Sequence, residues 1–72
     1  MGSRIWCFTL NNYEPSDEVL VQAHPDLTYV CYGREVGASG TPHMQGVLII
    51  RTPQRLSWLR KSISPRAHYE VC

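Results

Sequence analysis

Four stretches of the chain are rich in the apolar, β-branched and aromatic residues that strands favour, and turn-forming residues separate them. These stretches are Arg4 to Asn11, Leu27 to Glu35, His43 to Arg51 and Ala67 to Cys72. Because side chains along a strand point alternately to opposite faces, the period of two in the apolar positions predicts four β-strands. The first stretch is apolar on both faces, which predicts a central position in a sheet.

Two stretches between the strands favour helices. Ser16 is predicted to cap the first helix, which ends at His24 because Pro25 disfavours helical backbone in the residue before it. Thr52-Pro53 predicts the start of the second helix, which runs to about Ser62. The apolar sides of these helices consist of Val19, Leu20 and Ala23 in the first and of Leu56, Leu59 and Ile63 in the second.

The resulting order, β-α-β-β-α-β, predicts an α+β fold of the ferredoxin-like, split βαβ type. In that arrangement both helices cover one face of an antiparallel sheet, and the other face is left open. Alternation along the third strand assigns Met44, Leu48 and Ile50 to the helix-covered face. The open face receives His43, Gln45, Val47, Ile49 and Arg51.

Composition limits the possibilities without naming a partner. Seventy-two residues form at most one small domain, and a net charge of +1 carries no electrostatic signature for nucleic acid. Cys7, Cys31 and Cys72 are odd in number, far apart and without a C-x-x-C pair, which argues against a disulfide framework and for a reducing compartment. With no apolar run of membrane-spanning length and no signal-peptide pattern at the N-terminus, an intracellular protein is expected.

The densest chemistry lies between Gly33 and Gly46, which read G-R-E-V-G-A-S-G-T-P-H-M-Q-G. His43 and Gln45 fall on one face of the third strand, and a turn through the Gly-, Ser- and Pro-rich segment before it brings Glu35 opposite His43. A carboxylate, an imidazole and a neutral amide oxygen are ligands that suit Mg²⁺ or Mn²⁺ better than structural zinc. We therefore predict a catalytic divalent-cation site with open coordination positions.

Two segments of the chain are similar to motifs of a known family. Phe8-Thr9-Leu10-Asn11-Asn12 and Gly40-Thr41-Pro42-His43-Met44-Gln45-Gly46 resemble the first two motifs of replication initiator (Rep) proteins of small circular single-stranded DNA viruses, the circoviruses above all. Glu35 stands where that family has its acidic metal ligand, and Arg66-Ala67-His68-Tyr69-Glu70 resembles the segment after the second helix. The resemblance covers nearly the whole chain.

This resemblance implies an HUH endonuclease domain that starts rolling-circle replication in the host nucleus by nicking single-stranded DNA at the viral origin. Glu35, His43 and Gln45 are the implied metal ligands, and a tyrosine is the implied nucleophile. The family's Tyr-x-x-Lys motif does not occur in this sequence, so the tyrosine is expected beyond Cys72. Residues 1–72 would then be a partial domain, inactive by itself, whose full-length form adds a helicase domain and possible homo-oligomerisation. The helix that carries the tyrosine would cover Val47 and Ile49.

The predicted DNA-binding residues are Phe8, Thr9, Asn11 and Asn12. Phe8 and the nearby Trp6 also suit core packing, and the two asparagines also suit a turn. His24 and His68 are interpreted as structural residues. Glu70 competes with Glu35 as the carboxylate ligand. The alternative function is a non-catalytic, single-stranded nucleic-acid-binding module with the same element order as RNA-recognition domains.

Overall fold

Residues 2–72, which a computed structural model describes, form four strands and two helices in the predicted order. The elements are β1 (Ser3–Asn11), α1 (Pro15–Ala23), β2 (Leu27–Val36), β3 (Pro42–Gln54), α2 (Leu56–Ser62) and β4 (His68–Val71). The strands lie in the order β2-β3-β1-β4, and every neighbouring pair is antiparallel. The predicted α+β, ferredoxin-like fold is confirmed. Neither helix within these residues has the length and apolar character needed to cross a membrane.

The alternation along β1 and β3 separates a buried face from an open face, as predicted. Met44, Leu48 and Ile50 are each 0% exposed, and they pack with Trp6, Phe8 and Leu10 of β1 in the core below the helices. The other face, called the open face below, carries the alternate residues of the four strands. Those residues are Tyr29, Cys31, Gly33 and Glu35 of β2, His43, Gln45, Val47 and Ile49 of β3, Ile5, Cys7, Thr9 and Asn11 of β1, and His68 and Glu70 of β4.

Gly46 sits at the centre of the sheet, where it pairs with Tyr32 on one side and Phe8 on the other. A Cβ at this position would overlap the carbonyl oxygen of Cys31 and the Cα of Tyr32. The missing side chain lets the rings of Phe8 and Tyr32 meet edge to face, with centroids 6.3 Å apart. The position therefore requires glycine, and the two rings cover the gap that it leaves.

The first helix starts two residues earlier than the sequence indicated. Glu14, not Ser16, is the N-cap residue, and its backbone N–H donates to Oδ2 of Asp17 at 2.8 Å. The predicted apolar side is also wrong. Its residues Val19 and Leu20 are 63% and 37% exposed, whereas Val21 is the buried residue of α1. The helix therefore presents to the sheet a face different from the one that spacing alone suggested.

The second helix starts later than predicted, because Thr52 and Pro53 continue β3. Ser3 of β1 pairs with Gln54, so the sheet extends beyond the point where the proline indicated a helix. Leu59 and Ile63 are buried, as expected from their spacing, whereas Leu56 of the same predicted side is 37% exposed.

His24 ends α1 as predicted and joins the C-terminal ends of the two helices. Its Nδ1 accepts the backbone N–H of Asp26 at 3.1 Å, and its Nε2 donates to the carbonyl oxygen of Ser62 at 2.9 Å. The neutral ring thus carries its proton on Nε2. Its interpretation as a structural residue agrees with these contacts.

The cysteines differ from the expectation. Cys7 and Cys72 form a disulfide, while Cys31 is a free thiol exposed on the open face. Sequence spacing gave no sign of this pair because 65 positions separate the two residues. The antiparallel pairing of β4 with β1 brings their Cα atoms to 5.5 Å, within the usual range for a disulfide.

Candidate metal and nucleic-acid site

The predicted hairpin between β2 and β3 brings Glu35 and His43 face to face. The two residues are paired in register, and the tight turn between the strands includes Gly40 with a φ of +84°. Nε2 of His43 lies 2.9 Å from Oε2 of Glu35. The histidine side chain is 21% exposed and the glutamate side chain 62%, so the pair sits at the surface with the imidazole partly sheltered.

Gln45 lies two residues along the same strand and on the same face, as predicted. Its neighbours across the sheet are Gly33 on β2 and Thr9 on β1. Because Gly33 has no side chain, the space beside Gln45 towards β2 is open, and a Cβ built there meets nothing within 4 Å. The amide of Gln45 thus faces the same solvent-filled region as the Glu35 and His43 pair.

The donor atoms fit a small, hard cation. Nε2 of His43 and Oε2 of Glu35 lie 2.9 Å apart, at hydrogen-bond distance. An imidazole nitrogen and a carboxylate oxygen are both ligand types that Mg²⁺ or Mn²⁺ accepts. Within residues 2–72, no group of three His, Cys, Asp or Glu side chains is arranged to hold a metal. The side-chain amide of Gln45 is the neighbouring oxygen donor on this face, two residues along β3 from His43.

The four predicted DNA-binding residues fall in different environments. Thr9 and Asn11 are on the open face, where Asn11 pairs with His43 and Thr9 with Gln45. Asn12 forms the turn after β1 with a φ of 55°, and its N–H donates to Pro42 at 2.7 Å. Phe8 is only 2% exposed and lies in the core. Stacking of Phe8 on a base is therefore excluded in this structure, since its ring faces the helices.

Arg66 stabilises the turn between β1 and α1, which lies beside the candidate site. Its Nη2 donates to the carbonyl oxygens of Asn11 and Asn12 at 3.3 and 2.8 Å, and its Nη1 donates to Oδ2 of Asp17 at 3.0 Å. Since the Asn12 N–H is bonded to Pro42, the residue before His43, these contacts connect Arg66 with the start of β3.

A second arginine, Arg34, stabilises the end of β2 that carries Glu35. Arg34, the residue before Glu35, forms a two-pronged ion pair with Glu18 of α1, with N–O distances of 2.6 and 2.9 Å. These hydrogen bonds lower the pKa of the Glu18 carboxyl below its usual value. The pair links α1 to the strand end that carries the candidate ligand.

Residues 3–72 match the family model described as "Putative viral replication protein". The chain belongs to this family. Membership confirms the resemblance on which the expectations about the motifs were based, because the match runs through both motifs and both helices.

Individual members of the viral replication protein family agree with this assignment. The replication-associated protein of beak and feather disease virus is 48% identical over 73 residues, and that of canary circovirus is 46% identical over 71 residues. Each alignment covers 96% of this chain and 24% of the relative. The master replication protein of milk vetch dwarf virus (isolate N) is 38% identical over 65 residues, or 90% of this chain and 21% of the relative. The chain thus spans about a quarter of the length of these curated relatives.

The sequence analysis named His68 as a structural residue and Glu70 as a rival ligand to Glu35, but it did not predict that the two side chains are paired on the open face. His68 and Glu70 of β4 lie in register with Thr9 and Cys7 of β1, and Nε2 of His68 is 3.1 Å from Oε1 of Glu70. Both point away from the buried Tyr69 between them. The available signal was the alternation along β4, which assigns both residues to the face that holds His43.

Proposed function

We propose that this chain forms the metal-binding part of a replication initiator that nicks single-stranded DNA at a viral replication origin. The observation that carries the proposal is the 2.9 Å approach of His43 to Glu35, with Gln45 in phase on the same strand. Family membership supports a role in viral replication, and the donor atoms support a site for Mg²⁺ or Mn²⁺.

Glu35, His43 and Gln45 would hold the ion. When bound, the cation would supply Lewis acidity that polarises the scissile phosphate and stabilises the charge that develops on its oxygens. Because this ligand set contains a single carboxylate, the site would keep a net positive charge with a divalent ion bound. That charge would attract an anionic phosphate. Without the ion, Nε2 of His43 is hydrogen-bonded to Oε2 of Glu35, and both atoms would exchange that hydrogen bond for a bond to the cation.

The nucleophile in this proposal comes from outside the sequence. Tyr69 is buried with its hydroxyl bonded to Ser64, and the hydroxyl of Tyr32 accepts a hydrogen bond from Gln22. Tyr13 is partly buried and packs against the core. Tyr29 lies on the open face but pairs with Ile49, six positions along β3 from His43. We propose a tyrosine beyond Cys72, whose oxygen attacks the phosphorus, forms a covalent link to the 5′ phosphate and releases a 3′ hydroxyl. The bond energy retained in that link allows later strand joining.

The proposed place of action is the host nucleus, as the family resemblance implies. In such a reducing compartment Cys7 and Cys72 would be thiols rather than a disulfide. The metal site does not depend on that bond, because its residues belong to the β2–β3 hairpin.

The test is calorimetric titration of the chain with Mn²⁺. We expect binding by the wild type and its loss in His43→Ala and Gln45→Ala. The matched control is His68→Ala, which removes another open-face histidine bonded to a glutamate and should leave the affinity unchanged. A folded wild type that binds no Mn²⁺, or equal affinities in all four proteins, would rule out the site. Metal-independent binding of single-stranded DNA by such a protein would favour the non-catalytic module instead.

A further inference from the structure

The start of β3, which carries His43, is held from both neighbouring strands. On one side, Glu35 of β2 pairs in register with His43. On the other side, Asn11 pairs with His43 at the last position of the β1–β3 ladder, and the N–H of Asn12 donates to the carbonyl oxygen of Pro42 at 2.7 Å. The backbone position of His43 therefore depends on where β1 ends.

The turn after β1 adopts a conformation that needs support from its surroundings. Asn12 has a φ of 55°, in the left-handed region that costs free energy for residues other than glycine. Such backbone persists where neighbouring groups hold it in place. Pro42 binds its N–H, and Nη2 of Arg66 donates to its carbonyl oxygen at 2.8 Å. Arg66 thus supports the turn from the side opposite to β3.

The guanidinium of Arg66 has the shape that this support requires. Its Nη2 reaches the carbonyl oxygens of both Asn11 and Asn12, while its Nη1 donates to Oδ2 of Asp17 at 3.0 Å. The Arg66 side chain is 47% exposed, so its ion pair with Asp17 contributes little stability by itself. The carboxylate instead directs the guanidinium towards two successive carbonyl groups.

Arg66 acts on the candidate site from a distance. Within residues 2–72, none of its hydrogen bonds ends on a candidate metal ligand. The path to His43 runs through only Asn12 and Pro42. Because a metal site requires its ligands to be held within about 0.5 Å, a small shift of the β1 end would move the imidazole out of the productive arrangement.

We propose that Arg66 is a positioning residue for the metal site, which sets the backbone position of His43 through the end of β1. The inference rests on the proposed function, since it assumes that Glu35, His43 and Gln45 hold the cation. Removal of the guanidinium then weakens cation binding although every ligand is still present. This loss of affinity is separate from the loss of stability.

The experiment is calorimetric titration with Mn²⁺ of the wild type, Arg66→Ala and Arg66→Lys, at a temperature at which circular dichroism shows each protein fully folded. We expect Arg66→Ala to bind about tenfold more weakly, at the lower end of the range of roughly 10–100-fold for groups that orient metal ligands, because it acts through the backbone. Arg66→Lys should bind about threefold more weakly, since an ammonium group lacks the fork of donors. If Arg66→Ala does not fold, Arg66→Lys decides alone. Wild-type affinity in the folded variants would overturn the proposal.

The matched control for lost stability is His24→Ala. It removes two hydrogen bonds, to Ser62 and from Asp26, at the end of β2 opposite to Glu35. We expect this variant to bind Mn²⁺ as the wild type does. An equal loss of affinity in His24→Ala and Arg66→Ala would show that general destabilisation is responsible and would overturn the positioning role.

A second measurement follows the imidazole without metal. The chain has three histidines, so the ring C–H resonances of His43 can be assigned by comparison with His43→Ala. In Arg66→Ala, or in Arg66→Lys if the alanine variant does not fold, we expect these resonances to shift and those of His24 to stay in place. Unshifted His43 resonances would contradict the proposal, because a stabilising role alone leaves the folded ring where it is.

Failure of this inference can be distinguished from failure of the proposed function. A wild type that binds Mn²⁺, together with Arg66 variants of the same affinity, overturns the positioning role and leaves the metal site in place. A folded wild type that binds no Mn²⁺ overturns both.

Discussion

Arg66 donates from Nη2 to the carbonyl oxygen of Asn12 at 2.8 Å, across 54 positions of sequence. The same guanidinium also bonds Asn11 and Asp17, so a single side chain holds the β1–α1 turn against the segment before β4. Its fork of donors explains how it reaches two carbonyls and a carboxylate at once, which a lysine ammonium cannot do with the same geometry.

Replacing Arg66 by Ala should lower the free energy of unfolding by about 1–2 kcal/mol, because the loss of charge-assisted bonds is moderated by the partial exposure of the side chain. Arg66→Lys should restore less than half of that loss. Urea denaturation of the three proteins measures both effects. Equal stability of wild type and Arg66→Ala would contradict a role for this residue in holding the turn.

Gly46→Ala should prevent folding or lower the free energy of unfolding by about 3 kcal/mol or more, since its methyl group would overlap the β2 backbone at Cys31. In a domain of this size that loss corresponds to a fall in Tm of roughly 12 °C or more. Gly33→Ala is the control. Gly33 lies on the open face of β2, and a Cβ there meets nothing within 4 Å. Its Tm should equal or exceed that of the wild type. A thermal melt of both variants decides the matter.

Residue periodicity was sufficient for the element order and for the faces of β1 and β3, where each buried position follows from a period of two. It failed at the helix starts. Pro53 is as acceptable in the extended end of β3 as in a first helical turn, and only the pairing of Gln54 with Ser3 decides between them.

Long-range contacts account for the remaining differences between expectation and structure. The partners of Cys7 and of Thr9 on β4 depend on strand register, which no local pattern in this sequence specifies. The hairpin ligands were predictable because Glu35 and His43 are close in sequence. The pairing of Thr9 with both Gln45 and His68 was not, since it joins residues of the first, third and fourth strands.

Tyr69 should make the fold sensitive to alkali. Burial raises the pKa of its hydroxyl from 10.0 to about 12, so the unfolded chain releases this proton at a lower pH than the folded chain does. The stabilisation is fully present below pH 10 and is lost as the pH rises towards 12. We expect the free energy of unfolding of the wild type to fall more steeply across this interval than that of Tyr69→Phe.

Below pH 10, Tyr69→Phe should itself be about 1–3 kcal/mol less stable, because the carbonyl oxygen of Ser64 loses its hydroxyl donor and the Ser64 N–H keeps only the carbonyl oxygen of Leu59 as acceptor. Urea denaturation at several pH values measures both quantities. Parallel pH profiles for the two proteins would contradict the pKa assignment even if the loss at neutral pH were observed.

The Cys7–Cys72 disulfide should contribute about 2–4 kcal/mol under oxidising conditions, since it closes a loop of most of the chain. A reductant should lower the Tm of the wild type and leave that of Cys72→Ser unchanged. Thiol titration of the native oxidised protein should find one reactive group, that of Cys31. Three reactive thiols before reduction would show that the bond is absent in solution.

Glu35 and Glu70 offer a direct comparison, because each is an open-face glutamate whose carboxylate is hydrogen-bonded to a histidine. The proposed cation requires His43 and Gln45 together with a carboxylate, and only Glu35 is paired in register with His43. Glu35→Gln should therefore weaken Mn²⁺ binding about tenfold or more, while Glu70→Gln should leave it unchanged. Calorimetric titration of the two variants makes the comparison at equal loss of charge. The reverse result would move the ion to the His68 and Glu70 pair on β4.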